Sequence, residues 1–243
     1  MNKLVLDNNI ETTDIFIDTD TDMVADFNEL EKDVTIHIAK GVCFKGFVKT
    51  NKTKNQVNYL IDEDCDVVIN KLSIDCSDTV TIEMNNINSK IKYSTSVINY
   101  LDNNYTQKVL HNSSNTKSVI VNHCINVEDN EFKFIVDGII KRDSSDVNFK
   151  QDNQIINLKD GKSNILPNLI VDNSEIEASH SAYIGTFDEE DKFYMMSRGL
   201  TSEECDDLLI KAFLIGSMKL EDNEREIFSG IIEKINNWRW YIE

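Results

Sequence analysis

The sequence predicts a mainly β protein, a stacked parallel β-helix followed by a small C-terminal helical module, and three observations carry that prediction. Short runs rich in Val, Ile, Phe and Thr recur at regular spacing through residues 1–190, a pattern shared by sandwiches, barrels and β-helices. Turn chemistry then favours the β-helix over a sandwich, which stays open as the second choice: the chain has only eight glycines, one proline and no Asn-Gly, whereas antiparallel hairpins depend on glycine turns. Abundant Asn and Asp between strands instead suit coils in which like residues stack and bond in ladders. Beyond residue 190 the alternation gives way to helical periodicity. At about 20 or more residues per coil, residues 1–190 would form roughly eight coils.

In order, the strand runs are Lys3–Leu6, Asp14–Asp18, Val34–Ile38, Val42–Val48, Gln56–Ile61, Asp66–Ile69, Thr79–Ile82, Lys90–Tyr93, Ser96–Leu101, Lys117–Val121, Glu131–Val136, Gly138–Lys141, Ile155–Leu158 and Leu169–Val171. Residues 18–33 stand apart. Their Asp-Thr-Asp-Thr-Asp start evokes a calcium loop but lacks the glycine at position six and the glutamate at position twelve. Met23, Phe27 and Leu30 suggest a short helix or a lid over the first coil, whose edge would otherwise be open.

From Glu175 to Ile184 apolar and polar residues alternate, the period of a half-buried strand, and His180 falls on the side of Ile176, Ala178, Ala182 and Ile184. Residues 185–191 read as a turn. Lys192–Leu200 begins helically and breaks at Gly199, which suits a left-handed cap. Thr201-Ser-Glu-Glu204 is a capping box, and behind it Cys205, Leu208, Leu209, Ala212, Phe213 and Gly216 repeat as one helix face. After Leu220, Asp222 or Asn223 can cap a second helix with a stripe of Ile227, Phe228, Ile231, Ile232, Ile235 and Trp238. Together with the tail aromatics Trp238, Trp240 and Tyr241, the two stripes can serve as core against the β region or as a surface for a partner.

A net charge of −18 and a pI near 4.6 argue against nucleic-acid binding, which rests on neutralising phosphates; the acidity keeps the chain solvated or favours a basic protein partner. Five cysteines, Cys43, Cys65, Cys76, Cys124 and Cys205, form no Cys-x-x-Cys pair, which supports neither a zinc finger nor a disulfide framework. The N-terminal residues carry no apolar signal core, and no run approaches the roughly 18 apolar residues of a membrane span. The expectation is a cytoplasmic protein with reduced thiols. Motifs for a serine hydrolase elbow, a P-loop or a zincin are absent.

The run Ser179-His-Ser-Ala-Tyr-Ile-Gly185, the run Lys192-Phe-Tyr-Met-Met-Ser-Arg-Gly-Leu200, the Thr201–Glu204 helix start and the Leu-Leu-Ile-x-x-Phe-Leu run ending at Leu214 resemble the C-terminal part of the SufB/SufD family of iron–sulfur cluster assembly proteins. The resemblance extends upstream through Phe132, Gly138, Gln151, Asn153–Leu158 and Pro167-Asn-Leu169; residues 1–115 share only texture with the family. It implies a right-handed β-helix core over residues 1–190 and an ATPase-docking helical module over 191–243, in a short member without the family's N-terminal helical region. Family subunits pair through the β-helix, as homodimer or heterodimer, and bind the ABC ATPase SufC through the C-terminal helices. Phe193, Tyr194, Arg198, Gly199, Leu208 and Phe213 would position that contact.

By the same resemblance His180 aligns with a histidine implicated in holding iron or a transient iron–sulfur cluster at the subunit interface, although a lone histidine on an apolar strand face is more often a satisfied core residue. A neutral imidazole nitrogen suits iron. The departures weigh against self-sufficient cluster chemistry. Ser179 and Ser181 stand where the SufB branch has acidic residues, Ala178 where the SufD branch has a cysteine, and Asp152 where SufB has the cysteine thought to accept persulfide sulfur. Thiolates are the usual cluster ligands. Cys124 is the first candidate for a substitute thiol, but it cannot share a strand face with the adjacent His123, and Cys205 reads as core. The expected function is a scaffold subunit without turnover of its own. Two alternatives are a β-helix polysaccharide-active enzyme, for which Arg142 and Arg198 are scant cationic machinery, and a degenerate, purely structural homologue.

Overall fold

The computed structural model describes residues 1–173, 175–222 and 224–230. Two parallel sheets wind around a common interior. One contains β1 (Asn2–Leu6), β3 (Thr21–Asn28), β5 (Cys43–Asn51), β7 (Asp66–Ile74), β9 (Lys90–Asn99), β11 (Lys117–Asn126), β13 (Val147–Asn157) and β15 (Ile176–Gly185). The other contains β2 (Asp14–Ile17), β4 (Val34–Ile38), β6 (Gln56–Ile61), β8 (Thr79–Met84), β10 (Asn103–His111), β12 (Glu131–Ile140) and β14 (Lys162–Val171). Odd strands neighbour only odd ones and even strands only even ones, so each coil lays one strand on each sheet. This is the parallel β-helix that the strand spacing and scarce glycine predict.

Parallel register stacks side chains in columns. One interior column runs Leu4, Met23, Gly46, Ile69, Tyr93, Ile120, Gln151 and His180. The turns stack as well. Asp64, Asn88, Asn115 and Asp146 occupy equivalent left-handed positions, with φ of 59°, 64°, 56° and 53°. Asn and Asp tolerate that conformation better than other side-chain-bearing residues, and they add cross-coil bonds, such as Asn88 Nδ2 donating to Asp64 Oδ1 at 2.9 Å. These turns therefore do not need glycine.

Residues 18–33 form neither a helix nor a lid. Thr21, Met23, Ala25 and Phe27 alternate inward along β3, which is paired on both sides by β1 and β5. The acidic residues between them occupy the outward positions and obscure the period of two. Two predicted breaks also vanish. Lys90–Tyr93 and Ser96–Leu101 are one strand, β9, and Gly138 lies inside β12, where an added Cβ would come within 2.5 Å of the Phe149 ring. β10 is a strand the sequence reading missed.

The interior is largely aliphatic and aromatic, and two of its ionisable exceptions, Lys71 and His111, are paired. Lys71 Nζ lies 2.7 Å from Asp78 Oδ2 and 5.1 Å from the Tyr105 ring centroid, and Thr53 Oγ1 donates to Asp78 Oδ1 at 2.7 Å. Burial is the largest single influence and opposes the Lys71 charge, but Asp78 together with Tyr105, Tyr93 and Cys76 outweighs it and holds the ammonium well above the ordinary lysine range. His111 is buried between Thr116 and Ser118, both 2.7 Å from its ring nitrogens, and desolvation lowers its pKa to about 4.

After β15 the chain turns onto the outer face of the odd-numbered sheet. α1 (Glu189–Ser197) is capped by Asp188, and α2 (Ser202–Gly216) opens on the Thr201/Glu204 capping box that the sequence predicts. Gly199 takes the left-handed cap conformation, φ 100°. Ile210, Leu214, Met218, Leu220 and Phe228 pack on Phe47, Leu72, Ile98, Ile125 and Ile156. Residues 224–230 are helical; Asn223, Ile231, Ile232, Ile235, Trp238, Trp240 and Tyr241 lie outside the described residues.

Two outcomes are expected from the buried groups. Asp78→Ala strands an unpaired ammonium and should lower unfolding free energy in urea titrations by about 3–5 kcal/mol. For His111 the unfolded chain takes up a proton near pH 6.5, whereas the folded one resists until about pH 4. Stability should therefore fall as pH drops through that window, by an amount on the order of 3 kcal/mol. His111→Gln should remove that part of the slope, which urea titrations of both proteins at several pH values would measure.

Candidate functional site

The solenoid ends at β14 and β15. Among the described residues no further strand pairs with β15, so its inward row has no described coil above it. His180 points as its alternation predicts, along the interior column, yet it is exposed. It is therefore not a satisfied core histidine. Directly beneath it in register is Gln151, only 3% exposed, with both amide atoms unpartnered. Tyr183, Ile184, Leu166, Ile170 and Val171 are exposed on the same terminal coil; Ile184 and Val171 lie on the inward rows, and Tyr183, Leu166 and Ile170 on the outer face. Edge strands of this kind present unpaired backbone groups and invite pairing.

Two departures from the family pattern face each other here. Asp152 and Ser181 are register partners, and Ser181 Oγ donates to Asp152 Oδ1 at 2.7 Å. Gln154 Nε2 donates to Asp152 Oδ2 at 3.1 Å. On the opposite face of the strand, Asn153 Nδ2 donates to the Ser181 carbonyl at 3.0 Å, and Asn122 Nδ2 donates to Asn153 Oδ1 at 2.8 Å. Ser181 is thus held from both faces, and the position beside His180 is fixed.

The thiols do not gather at this end. Cys65, Cys76, Cys124 and Cys205 are buried, and only Cys43 is exposed, on β5, well away from β15 in the coil order. Burial pushes the Cys124 thiol well above the ordinary cysteine range, so the first candidate for a substitute thiolate stays protonated. Its neighbour His123 faces the other side of the sheet, as strand alternation requires. Among the described residues no group of three or more His, Cys, Asp and Glu side chains could hold a metal ion. For metal, this chain offers the terminal coil a single imidazole, and further ligands would have to come from elsewhere.

The helical candidates divide into an exposed and an anchored set. No residue of α1 is buried; Phe193 is 75% and Tyr194 58% exposed, and Arg198 lies on the Tyr194 ring with its guanidinium carbon 5.1 Å from the centroid. Lys192 pairs with Asp206 at 2.9 Å and ties α1 to α2. The predicted α2 face is split. Cys205, Ile210 and Leu214 turn inward, whereas Leu208 is 47% exposed, and Ala212 and Gly216 are exposed with it. Phe213 stacks on His123 at 4.4 Å between centroids.

The outer sheet face also holds the C-terminal end of α2 through side-chain donors that the sequence reading missed. His123 Nδ1 donates to the Phe213 carbonyl at 2.6 Å, Ser96 Oγ to Leu214 at 2.6 Å, Ser94 Oγ to Ser217 at 3.0 Å and Asn70 Nδ2 to Lys219 at 3.1 Å. Helix C-termini leave carbonyls without intrahelical donors, and the sheet supplies them here. Desolvation lowers the His123 pKa despite the Phe213 bond and Asp152, which keeps the ring neutral at pH 7. Nothing local in the sequence marks Ser94, Ser96 or Asn70 as contacts of a helix more than a hundred residues away.

The architecture is a parallel β-helix with helices folded back on one sheet and an exposed histidine on its last described strand. A family model described as SUF system FeS cluster assembly, SufBD core domain, matches residues 56–213, and the chain belongs to that family of iron–sulfur cluster assembly proteins. It is 26% identical over 136 residues to the iron–sulfur cluster assembly protein SufD of Bacillus subtilis (strain 168), covering 54% of this chain and 31% of the relative. It is 32% identical over 111 residues to an iron–sulfur cluster assembly SufBD family protein of Staphylococcus aureus (strain USA300), covering 44% of this chain and 23% of the relative. The matched region thus spans less than a third of either relative.

Thiol accessibility gives a direct check on the site. In the folded chain one equivalent of thiol, Cys43, should react rapidly with a maleimide or with Ellman's reagent, and the other four cysteines only on unfolding. Cys43→Ser should abolish the fast phase.

Proposed function

We propose that this chain is a SufB/SufD-type scaffold subunit that docks a SufC-type ABC ATPase on its C-terminal helices. It pairs with a second subunit, a copy of itself or a related chain, through the terminal coil of the β-helix, and it handles iron or a nascent iron–sulfur cluster there as cargo. The observation that carries the reading is His180: a side chain of a type that can ligate metal, at the end of an interior column and exposed, on a coil that also exposes apolar residues. Pairing across that coil would cover the exposed Ile184 and Val171 and bring a second set of ligands toward the imidazole. It would also supply what this chain lacks, because Ala178 and Asp152 stand where relatives of the family carry cysteines.

Phe193, Tyr194 and Leu208 form the docking surface, with Arg198 and Gly199 shaping the α1–α2 corner; Phe213 acts from beneath by fixing α2 to the sheet. The residue range 191–243 is the docking module. In this role the chain performs no turnover of its own; the ATPase supplies the work. A cytoplasmic location follows from the partner and from reduced thiols, and no helix among the described residues is long and apolar enough to cross a membrane.

Anaerobic co-expression with a SufC-type ATPase from the same host, followed by size-exclusion chromatography with iron and sulfide analysis, tests the reading. A complex carrying iron is expected. Leu208→Asp, at an exposed position, should weaken ATPase binding at least tenfold without altering the circular dichroism of the chain; unchanged affinity would remove the docking assignment. His180→Ala should lower iron in the purified complex by more than half while the ATPase remains bound. Unchanged iron would demote His180 to a bystander at the coil end.

A further inference from the structure

We infer that His123 is a positioning residue that couples the position of α2 to the conformation of β15, the strand that carries His180. The inference deepens the docking reading, but the coupling is a property of the free chain and can be tested without the ATPase.

Two contacts join His123 to the helix, and they are different in kind. Its ring stacks on Phe213 with the planes 9° apart, and its Nδ1–H donates to the Phe213 carbonyl at 2.6 Å. The carbonyl can only accept, so the proton is on Nδ1. A partner pressing on exposed Leu208 or on α1 acts on the free half of a lever whose other half ends at this bond and at the Ser96 and Ser94 donors.

From β11 the connection runs on to β15 along two faces of the same strands. Inside, Asn122, the residue before His123, donates to Asn153, and Asn153 donates to the Ser181 carbonyl. Outside, Gln154 is the register neighbour of His123 and donates to Asp152, which accepts from the Ser181 hydroxyl. Both lines end on Ser181, adjacent to His180. The Asn122–Asn153 bond is buried, the Asn153–Ser181 and Gln154–Asp152 bonds are part-buried and the Ser181–Asp152 bond is exposed; a buried bond lost without replacement is the costliest, so the inner line is the stiffer of the two and a shift of β11 acts on β15 chiefly through it. By contrast, His180 itself has exposed surroundings and no such hold. What positions its imidazole is the backbone on either side, and Ser181 sets that backbone.

Hydrogen–deuterium exchange by mass spectrometry on the whole free chain separates this from a local anchoring role. His123→Phe keeps an aromatic ring on Phe213 and deletes the donor; His123→Asn keeps a donor at the δ position and deletes the ring. With His123→Phe, exchange should accelerate at least tenfold both in residues 212–217 and in residues 180–183. With His123→Asn, residues 180–183 should stay within threefold of wild type. Acceleration confined to residues 212–217, or none at all, would overturn the coupling and leave His123 as a helix anchor. Should His123→Phe fail to fold, the link can be tested from the other end, because coupling is reciprocal. Ser181→Ala, at an exposed position, should then speed exchange of residues 212–217 by at least threefold, and no change there overturns the proposal. With the ATPase bound, a non-hydrolysable ATP analogue should alter exchange of residues 180–183 in wild type but not in His123→Phe. An ATPase that fails to bind wild type would remove the docking reading and leave the free-chain result standing.

Discussion

A parallel solenoid is built by repetition, and repetition must stop. Each strand satisfies its backbone by bonding to the coil before and the coil after, so the final strand is left with one edge and one inward row that nothing covers. Most of what is chemically interesting in this chain follows from that constraint. His180 occupies a column whose earlier members, Met23, Ile69, Tyr93 and Ile120, are fully buried. Its environment differs from theirs only because it comes last. An imidazole that would be isolated in the core is exposed at the end, and the exposed Ile184 and Val171 on the inward rows of the last strands share the same cause.

The helices show the complementary solution. Where the solenoid wall faces water, its outward residues alternate with the core, and a wall that is to hold a helix must be apolar there. Leu72, Ile98, Ile125 and Ile156 meet that need on four of the odd strands. The same wall places Asn70, Ser94, Ser96 and His123 under the end of α2, where carbonyls lack donors. Apolar contact fixes how close the helix lies, whereas the donors fix its position along the sheet. α1 has neither kind of anchor, which leaves its aromatic residues available to a partner.

How far the fold could be read beforehand depended on whether local chemistry or long-range register decided each element. The β-helix was legible because turn residues report locally: Asn and Asp at left-handed positions replace glycine, and their scarcity of hairpin signals is a property of short windows. The capping box at Thr201 and the Gly199 cap were legible for the same reason. β3 was misread because outward aspartates masked its alternation, and β9 was split because Ser94 and Thr95 look like a break, although Ser94 bonds the end of α2 from within the strand. The direction of His180 followed from the period of two, but its exposure did not, since that depends on no coil coming next. The face of α2 was rotated relative to expectation because Ile210 and Leu214, and not Leu208, meet the isoleucine rows of the sheet.

The exchange of groups at Asp152 and Ser181 bears on what kind of subunit this is. Where the SufB branch places a thiol and an acid, this chain places an acid and a hydroxyl, and the two are register partners bonded at 2.7 Å. The bond is a polar link between β13 and β15 that carries no thiol. Together with the inner Asn122–Asn153–Ser181 line it fastens the last strand to the coil beneath it from both faces, so the backbone on the C-terminal side of His180 is tied to β13 while the imidazole itself stays exposed.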